Sequence, residues 1–125
     1  MFSINNDKSI YITRGDIATI EISAYVSEDE MYTFKVGDVI RLKVFEKKRC
    51  DVVVLSKDVV IKSETTEVSI SLSSADTRIG DLINKPVDYW YEVEINPDTT
   101  PQTIIGYDMD GPKIFRLFPE GENNG

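Results

Sequence analysis

Apolar and polar residues alternate with a period of two along most of this chain, and helical periodicity is almost absent. Such alternation is typical of β-strands that bury one face and expose the other. Gly, Asp, Asn and Pro residues suited to turns separate the alternating segments. The pattern predicts strands at residues 9–13, 17–26, 39–46, 51–58, 67–72, 87–95, 102–107 and 113–118.

One helical turn is predicted between the fifth and sixth of these strands. Ser73 can cap its N-terminus, Asp76 stands where a capping-box acid belongs, and Gly80 suits the end of the turn. Many short strands with regular turn signals favour an all-β protein, a single antiparallel β-sandwich of about 7–8 strands. We expect one domain over residues 1–125, with a core at about 9–118 and a flexible tail at 119–125.

Composition and charge narrow the classes of function. The chain has no histidine and one cysteine, Cys50, which excludes a Ser-His-Asp triad, intrachain disulfides and zinc sites built from several cysteines. Its 14 basic and 22 acidic residues give a net charge of −8, which argues against a nucleic-acid partner. No apolar run approaches the length of a membrane span, and no secretion signal is present, so we expect no membrane insertion and synthesis in the cytoplasm.

Two short motifs favour turns over ligand sites. Arg14-Gly15-Asp16 follows the first strand and is interpreted as a turn with an Arg–Asp pair on the surface. Asp108-Met109-Asp110-Gly111 is similar to the start of a calcium-binding loop, but Pro119 stands where the closing bidentate Glu belongs. The sequence therefore predicts no metal, no cofactor and no enzymatic activity.

Trp90 is a candidate partner-binding residue. In the strand at 87–95, alternation with the apolar position Tyr91 puts Trp90 on the outside. An outward Trp is either covered by a loop, such as residues 31–34, or presented to a partner. As an alternative, Trp90 with the neighbouring tyrosines could stack on sugar rings, which makes a carbohydrate-binding β-sandwich module the second hypothesis.

The last strand supplies the other candidate residues. We interpret residues 102–107 and 113–118 as a closing hairpin at the edge of the sheet. Ile114, Phe115, Leu117 and Phe118 place apolar side chains on both faces of this strand. Because a strand that is apolar on both faces should be covered on both faces, Phe115 and Phe118 are predicted to form part of a docking surface.

Four segments together resemble the N-terminal domain of phage upper baseplate proteins. These segments are residues 10–18, 37–45, 89–95 and 102–105, and the resemblance spans about Ile10 to Phe118. It implies an immunoglobulin-like sandwich and a non-enzymatic structural role in a phage or prophage tail or baseplate. The expected partners are other tail proteins or further copies of the chain, and the expected location is the virion. The resemblance covers the attachment domain alone, so it implies attachment and not receptor binding.

Overall fold

A computed structural model describes residues 2–4, 8–47, 52–107 and 111–120 of the chain. These residues form mostly β-strands and one short helix. The elements are β1 (Phe2–Ile4), β2 (Ile10–Thr13), β3 (Ala18–Ile22), β4 (Tyr25–Ser27), β5 (Glu30–Met31), β6 (Val39–Phe45), β7 (Val53–Val60), β8 (Val68–Leu72), α1 (Ser74–Thr77), β9 (Val87–Ile95), β10 (Gln102–Ile105) and β11 (Lys113–Phe118).

The predicted all-β character is confirmed, and each predicted strand overlaps an observed one. The expected strand at 17–26 is wrong as one continuous element. It ends at Ile22, and the chain then leaves its sheet to form the small hairpin of β4 and β5. The carbonyl of Ala24 accepts a hydrogen bond of 2.8 Å from the N–H of Tyr32, which closes this hairpin at its base.

The strands form one large sheet and two small ones. In the large sheet the order is β1-β2-β11-β9-β6-β7, with β10 also paired to β9. Strands β3 and β8 form a second sheet, and β4 and β5 form the third. The large sheet is mixed, because β11 runs parallel to β2 and antiparallel to β9. The expectation of a purely antiparallel arrangement is therefore wrong.

The last strand is central rather than peripheral, which corrects the predicted closing hairpin. Strands β10 and β11 do not pair with each other, although they follow one another in the chain. Both pair with β9, where β10 lies along residues 93–95 and β11 along residues 87–91. Since the two strands lie end to end against one neighbour, β11 keeps its other edge for β2. Within the described ranges, β1 and β7 are the terminal strands of this order.

The large sheet and the β3–β8 sheet enclose one hydrophobic core, which makes the arrangement sandwich-like. Alternate residues of each strand face inward, as the buried positions of β6, β8 and β11 show. Burying this many aliphatic side chains is the main stabilising contribution to the fold. The buried hydrophobic residues are Ile10, Ile12, Ile20, Ile22, Phe34, Ile40, Leu42, Val44, Ile61, Val68, Ile70, Leu72, Ile79, Tyr91, Val93, Ile95, Phe115 and Leu117.

The predicted capping box is present at α1. Ser73 Oγ accepts a hydrogen bond of 3.1 Å from the N–H of Asp76, and Asp76 Oδ2 accepts one of 2.8 Å from the N–H of Ser73. These two bonds satisfy N–H groups that have no partner inside the helix. The helix ends at Thr77, and Gly80 adopts a φ of +67° two residues after the C-cap residue Arg78.

Arg14 joins three separate parts of the chain. Its guanidinium donates hydrogen bonds to the carbonyls of Ile79 (3.3 Å) and Gly80 (2.6 Å) and to Glu120 Oε1 (2.9 Å). The residue is only 9% exposed, so the expected surface Arg–Asp pair is wrong. A guanidinium with several donors can bridge groups that a short side chain could not reach. Glu120, within the segment expected to be a flexible tail, is held by this contact.

Gly15 allows the turn that brings Arg14 into place. Its φ of +88° lies in the left-handed region, where a Cβ is disfavoured. Its N–H donates to Thr77 Oγ1 (3.0 Å), and that hydroxyl donates to the carbonyl of Asp16 (2.7 Å). The turn therefore crosses from the large sheet to the β3–β8 sheet and is fastened to α1 on the way.

Asp38 fastens the start of β6 to the end of β9. Its carboxylate accepts hydrogen bonds from the Tyr32 hydroxyl (2.9 Å), the Lys35 N–H (2.9 Å) and Asn96 Nδ2 (3.2 Å). Asn96 in turn accepts a bond of 2.9 Å from the N–H of Val39. Burial raises the pKa of Asp38, but the hydrogen bonds from Lys35, Asn96 and Tyr32 outweigh it and hold the pKa below the ordinary 3.8.

We expect Arg14→Ala to lower the free energy of unfolding by about 2 kcal/mol, because it leaves two carbonyls and the partly exposed Glu120 carboxylate without this donor. Arg78→Ala is the matched control. Its guanidinium is 52% exposed and lies 3.9 Å from the same Glu120 oxygen, so its removal should cost less than about 0.5 kcal/mol. Urea unfolding of both variants measures the difference. Equal losses would contradict the bridging role of Arg14.

We expect Asp38→Asn to cost about 1–2 kcal/mol at pH 7, because it weakens a carboxylate network that links two strands. The lowered pKa means that this stabilisation is present above the ordinary value of 3.8 and is lost as the pH falls through the folded-state pKa. The stability difference between the natural chain and Asp38→Asn should therefore shrink on acidification. Thermal melts between pH 7 and pH 3 measure it, with the exposed Asp29→Asn as control. A difference that stays constant with pH would contradict the assignment.

Candidate functional site

The candidate site is the surface of the large sheet that faces away from the core, which we term the outer face. It is built from the strand positions that alternate with the buried ones, so β9 contributes even-numbered residues and β6 odd-numbered ones. Strand pairing aligns these positions in rows that run across the strands. The outer face comprises Tyr11, Arg41, Lys43, Phe45, Val53, Asp58, Asp88, Trp90, Glu92, Glu94, Ile114, Arg116 and Phe118.

One row of the outer face is entirely apolar. Ile114 of β11 pairs with Trp90 of β9, which pairs with Phe45 of β6, which pairs with Val53 of β7. We term these four residues the apolar row. Three of them are half-buried, and Val53 is 42% exposed. The row therefore places adjacent aromatic and aliphatic side chains on the side of the sheet opposite to the core.

Trp90 lies on the outer face, where alternation predicts it. The loop expected to cover it does not do so, because Phe34 of that loop is fully buried in the core on the other side of the sheet. Tyr89 packs against the core, and Tyr91 is 3% exposed and donates its hydroxyl hydrogen to the carbonyl of Lys8. The two tyrosines next to Trp90 in sequence are thus on the opposite face, and its neighbours on the outer face come from other strands.

An arginine-centred row flanks the apolar row on one side. Arg116 forms a two-pronged pair with Asp88, with N–O distances of 2.6 and 3.1 Å. Its guanidinium carbon lies 5.1 Å from the ring centroid of Tyr11, within the range of a cation–π contact. The Phe118 ring packs on the same tyrosine at 5.6 Å between centroids. These contacts fix the geometry of this end of the outer face.

A lysine shared by two glutamates flanks the apolar row on the other side. Lys43 Nζ lies 3.7 Å from Glu92 Oε1 and 3.0 Å from Glu94 Oε1. The latter oxygen is buried and accepts no hydrogen bond among the described residues, so its contact with Lys43 is one of charge. Burial, and then the charge of Glu94, raise the pKa of Glu92 above its ordinary value, while Lys43 opposes them.

The next row holds a second arginine. Arg41 pairs with Asp58 at 2.8 and 2.9 Å and with Asp98 at 3.1 and 3.2 Å. Its hydrogen bonds hold the pKa of Asp58 below its ordinary value. Since Arg41 lies opposite Glu94 in the strand register, the two rows place acids on β9 and bases on β6.

The structure separates the two phenylalanines that were predicted to dock a partner. Phe115 is 0% exposed and faces the core, so its assignment to a docking surface is wrong. The reason is that β11 is a central strand, whose inner face the sandwich core covers completely. Phe118 is half-buried on the outer face with Trp90, but it lies against Tyr11 and outside the apolar row.

Sequence reasoning missed Phe45, Val53 and Ile114 as members of the site. The sequence did contain a signal for Phe45. It is separated by an even number of residues from Arg41 and Lys43 in the same strand, so it lies on the same outward face as these polar residues. No such signal joins Phe45 to Trp90 or Ile114. Their adjacency follows from the order of the strands and their register, which period-two alternation leaves open.

Within the described ranges 2–4, 8–47, 52–107 and 111–120, no group of three or more Cys, Asp or Glu side chains is arranged to hold a metal ion. The residues of the calcium-like motif, 108–110, lie outside the described residues, as does Cys50. In the same part of the chain, no helix has both the length and the apolar character that a membrane crossing requires.

Comparison with family models, with curated protein sequences and with solved structures gives no match to this chain.

We expect Phe115→Ala to lower the free energy of unfolding by about 3–5 kcal/mol, because it opens a cavity in the core. Phe118→Ala is the matched comparison three residues away, and it should cost about 1 kcal/mol because that ring is only half-buried. Phe118→Glu should still unfold cooperatively, whereas Phe115→Glu should not fold. Chemical denaturation followed by circular dichroism measures all four variants. Similar losses at both positions would contradict the separation of the two faces.

Proposed function

We propose that this chain is a non-enzymatic structural component of a phage or prophage tail or baseplate, and that it acts by protein–protein assembly through its outer face. The finer description of its fold as immunoglobulin-like belongs to the same proposal. Two independent lines support it, the resemblance of four segments to upper baseplate domains and the arrangement of side chains on the outer face.

The observation that carries the proposal is the apolar row. Trp90, Phe45 and Ile114 lie on the side of the sheet opposite to the core, where a sheet with one solvated face carries polar residues. Covering apolar surface is worth roughly 25 cal/mol for each Å² removed from water. Aromatic residues near the centre of a contact also supply much of the binding energy in protein interfaces. The apolar row therefore has the composition of an interface centre.

The flanking ion pairs support the same role. Arg116 with Asp88, and Arg41 with Asp58, are held in two-pronged geometry on either side of the apolar row. Side chains that are already fixed lose little conformational entropy when a partner binds. A polar rim around an apolar centre is also the usual anatomy of a protein–protein interface. The outer face thus combines a centre and a rim that are both preorganised.

Three of the earlier expectations enter the proposal, and only the set of docking residues is modified. The partners are other tail proteins or further copies of the chain, with neither nucleic acid nor membrane among them. The location is the virion, after synthesis in the host cytoplasm. The docking residues are Trp90, Phe45 and Ile114, with Phe118 at the margin and Phe115 removed from the set.

Mass spectrometry of particles purified from an induced host that carries the gene tests the proposal directly. We expect the chain to be present in many copies per particle. The variants Trp90→Ser and Phe45→Ser are each supplied in place of the natural chain. Each variant should be present in the particles in at least about tenfold fewer copies than the natural chain, because the substitution removes the centre of the interface. Leu82→Ser, which changes a side chain that is 78% exposed elsewhere, is the control. Absence of the natural chain from purified particles would contradict the proposal.

Carbohydrate binding is the second candidate, and one observation favours it. Trp90 and Phe45 are adjacent on the outer face, and two neighbouring rings can stack on a sugar. The pair belongs to the same surface as the assembly proposal, so a glycan array distinguishes them. The array would favour carbohydrate recognition over assembly if two results coincide. The natural chain binds a specific glycan and loses this binding in Trp90→Ala, and the chain is absent from the purified particles.

A further inference from the structure

The charges on the outer face are ordered in a way that selects a partner. In two successive rows, Glu92 lies opposite Lys43 and Glu94 lies opposite Arg41. Both acids belong to β9 and both bases belong to β6. A line drawn between these two neighbouring strands therefore separates the two acids from the two bases, and Asp58 of β7 lies on the basic side, where it pairs with Arg41.

Such a surface is complementary to itself. A twofold axis that is parallel to the strands and passes between β9 and β6 places β9 of one copy over β6 of the other. The rotation keeps each row at the same height along the strands. Glu92 then faces the second copy's Lys43, and Glu94 faces the second copy's Arg41, with each contact occurring twice. Opposite charges across an interface favour the correct partner, and like charges exclude others.

The same rotation also aligns the apolar row. Trp90 comes to lie over the second copy's Phe45, and Ile114 comes to lie over the second copy's Val53. Sheets that pack face to face lie about 10 Å apart with strand directions within about 30° of each other, so side chains of this size fill the space between them. An isologous contact of this kind closes at two copies.

From this order of charges and apolar residues, and resting on the proposed assembly function, we infer that the outer face binds a second copy of this chain. In the resulting twofold dimer, β9 of each copy packs over β6 of the other.

The edge of the large sheet at β7 is a poorer site for a second copy. Strand β7 is one of the two terminal strands, and Lys57 stands opposite Leu42 in its register and thus lies on the inner side of this edge strand. Its Nζ is 3.0 Å from Asp76 Oδ2, which holds the charge in place. An inward charge on an edge strand opposes the addition of another strand. Association through the outer face requires no change at this edge.

Two charge reversals test the dimer. Lys43→Glu makes the row acidic on both strands, and Glu92→Lys makes it basic on both strands. Each variant alone should dimerise at least about tenfold more weakly than the natural chain, because like charges then face each other twice. An equimolar mixture of the two should recover the natural dissociation constant to within about threefold, because every contact in the mixed dimer is again between opposite charges.

Mixing separates the interface from effects on folding. Each variant carries a like-charged pair within its own sheet, and this pair is unchanged when the variants are mixed. Recovery in the mixture therefore arises only between chains. Lys62→Glu and Glu64→Lys, two reversals on exposed positions beyond β7, are the control pair and should leave dimerisation unchanged. Sedimentation equilibrium measures the association, and circular dichroism melts verify that each variant is folded.

Three results would overturn the inference: a natural chain that stays monomeric at millimolar concentration, single variants that dimerise normally, or folded variants that stay monomeric when mixed. A monomeric natural chain whose copy number in particles still falls with Trp90→Ser would remove the second copy as partner and leave the assembly function in place. If dimerisation recovers in the mixture but the natural chain is absent from purified particles, the dimer is supported and the assembly function is contradicted.

Discussion

The insertion of β11 between β2 and β9 is the constraint on which the rest of the structure depends. Among the described strands, it is the sole hydrogen-bonded connection between the β1–β2 pair and the β9–β6–β7 part of the large sheet. It also joins the two ends of the described chain, since residues 115–118 pair in parallel with residues 10–13. Contacts between residues this far apart in sequence carry a large loop-closure entropy, so they require strong local support.

That support comes from a buried arginine and from the core. The N–H of Arg14 donates to the carbonyl of Phe118 at 3.0 Å, which extends the parallel pairing by one bond. Its side chain then reaches the loop after α1 and Glu120 beyond the end of β11. Phe115 and Leu117, both 0% exposed, hold the inner side of the same strand. The pairing with β2, the Arg14–Glu120 ion pair and the packing of the core thus all hold β11 in place.

The outer face is a consequence of this placement. Because inward positions on β11 are fixed by the core, Ile114 and Arg116 must point outward, and the register with β9 places them beside Trp90 and Asp88. The pairing of β9 with β6 adds Phe45 to the row in the same way. A central strand therefore creates a continuous patterned surface, which an edge strand could not have done. The proposed assembly and the proposed dimer both rest on that pattern.

Local sequence patterns were sufficient to predict the all-β character, the approximate limits of the main strands and the capping box at Ser73 and Asp76. Each of these depends on interactions between residues close in the chain, which alternation and capping motifs report. The pairing of the strands and the burial of Arg14 emerge from the three-dimensional fold. So does the separation of Phe115, which belongs to the core, from Phe45, which lies beside Trp90 on the outer face. Alternation has the same period in an edge strand and in a central strand, and it does not indicate which strands pair with each other. Those choices are made by contacts between distant parts of the chain, whose energies no local pattern contains.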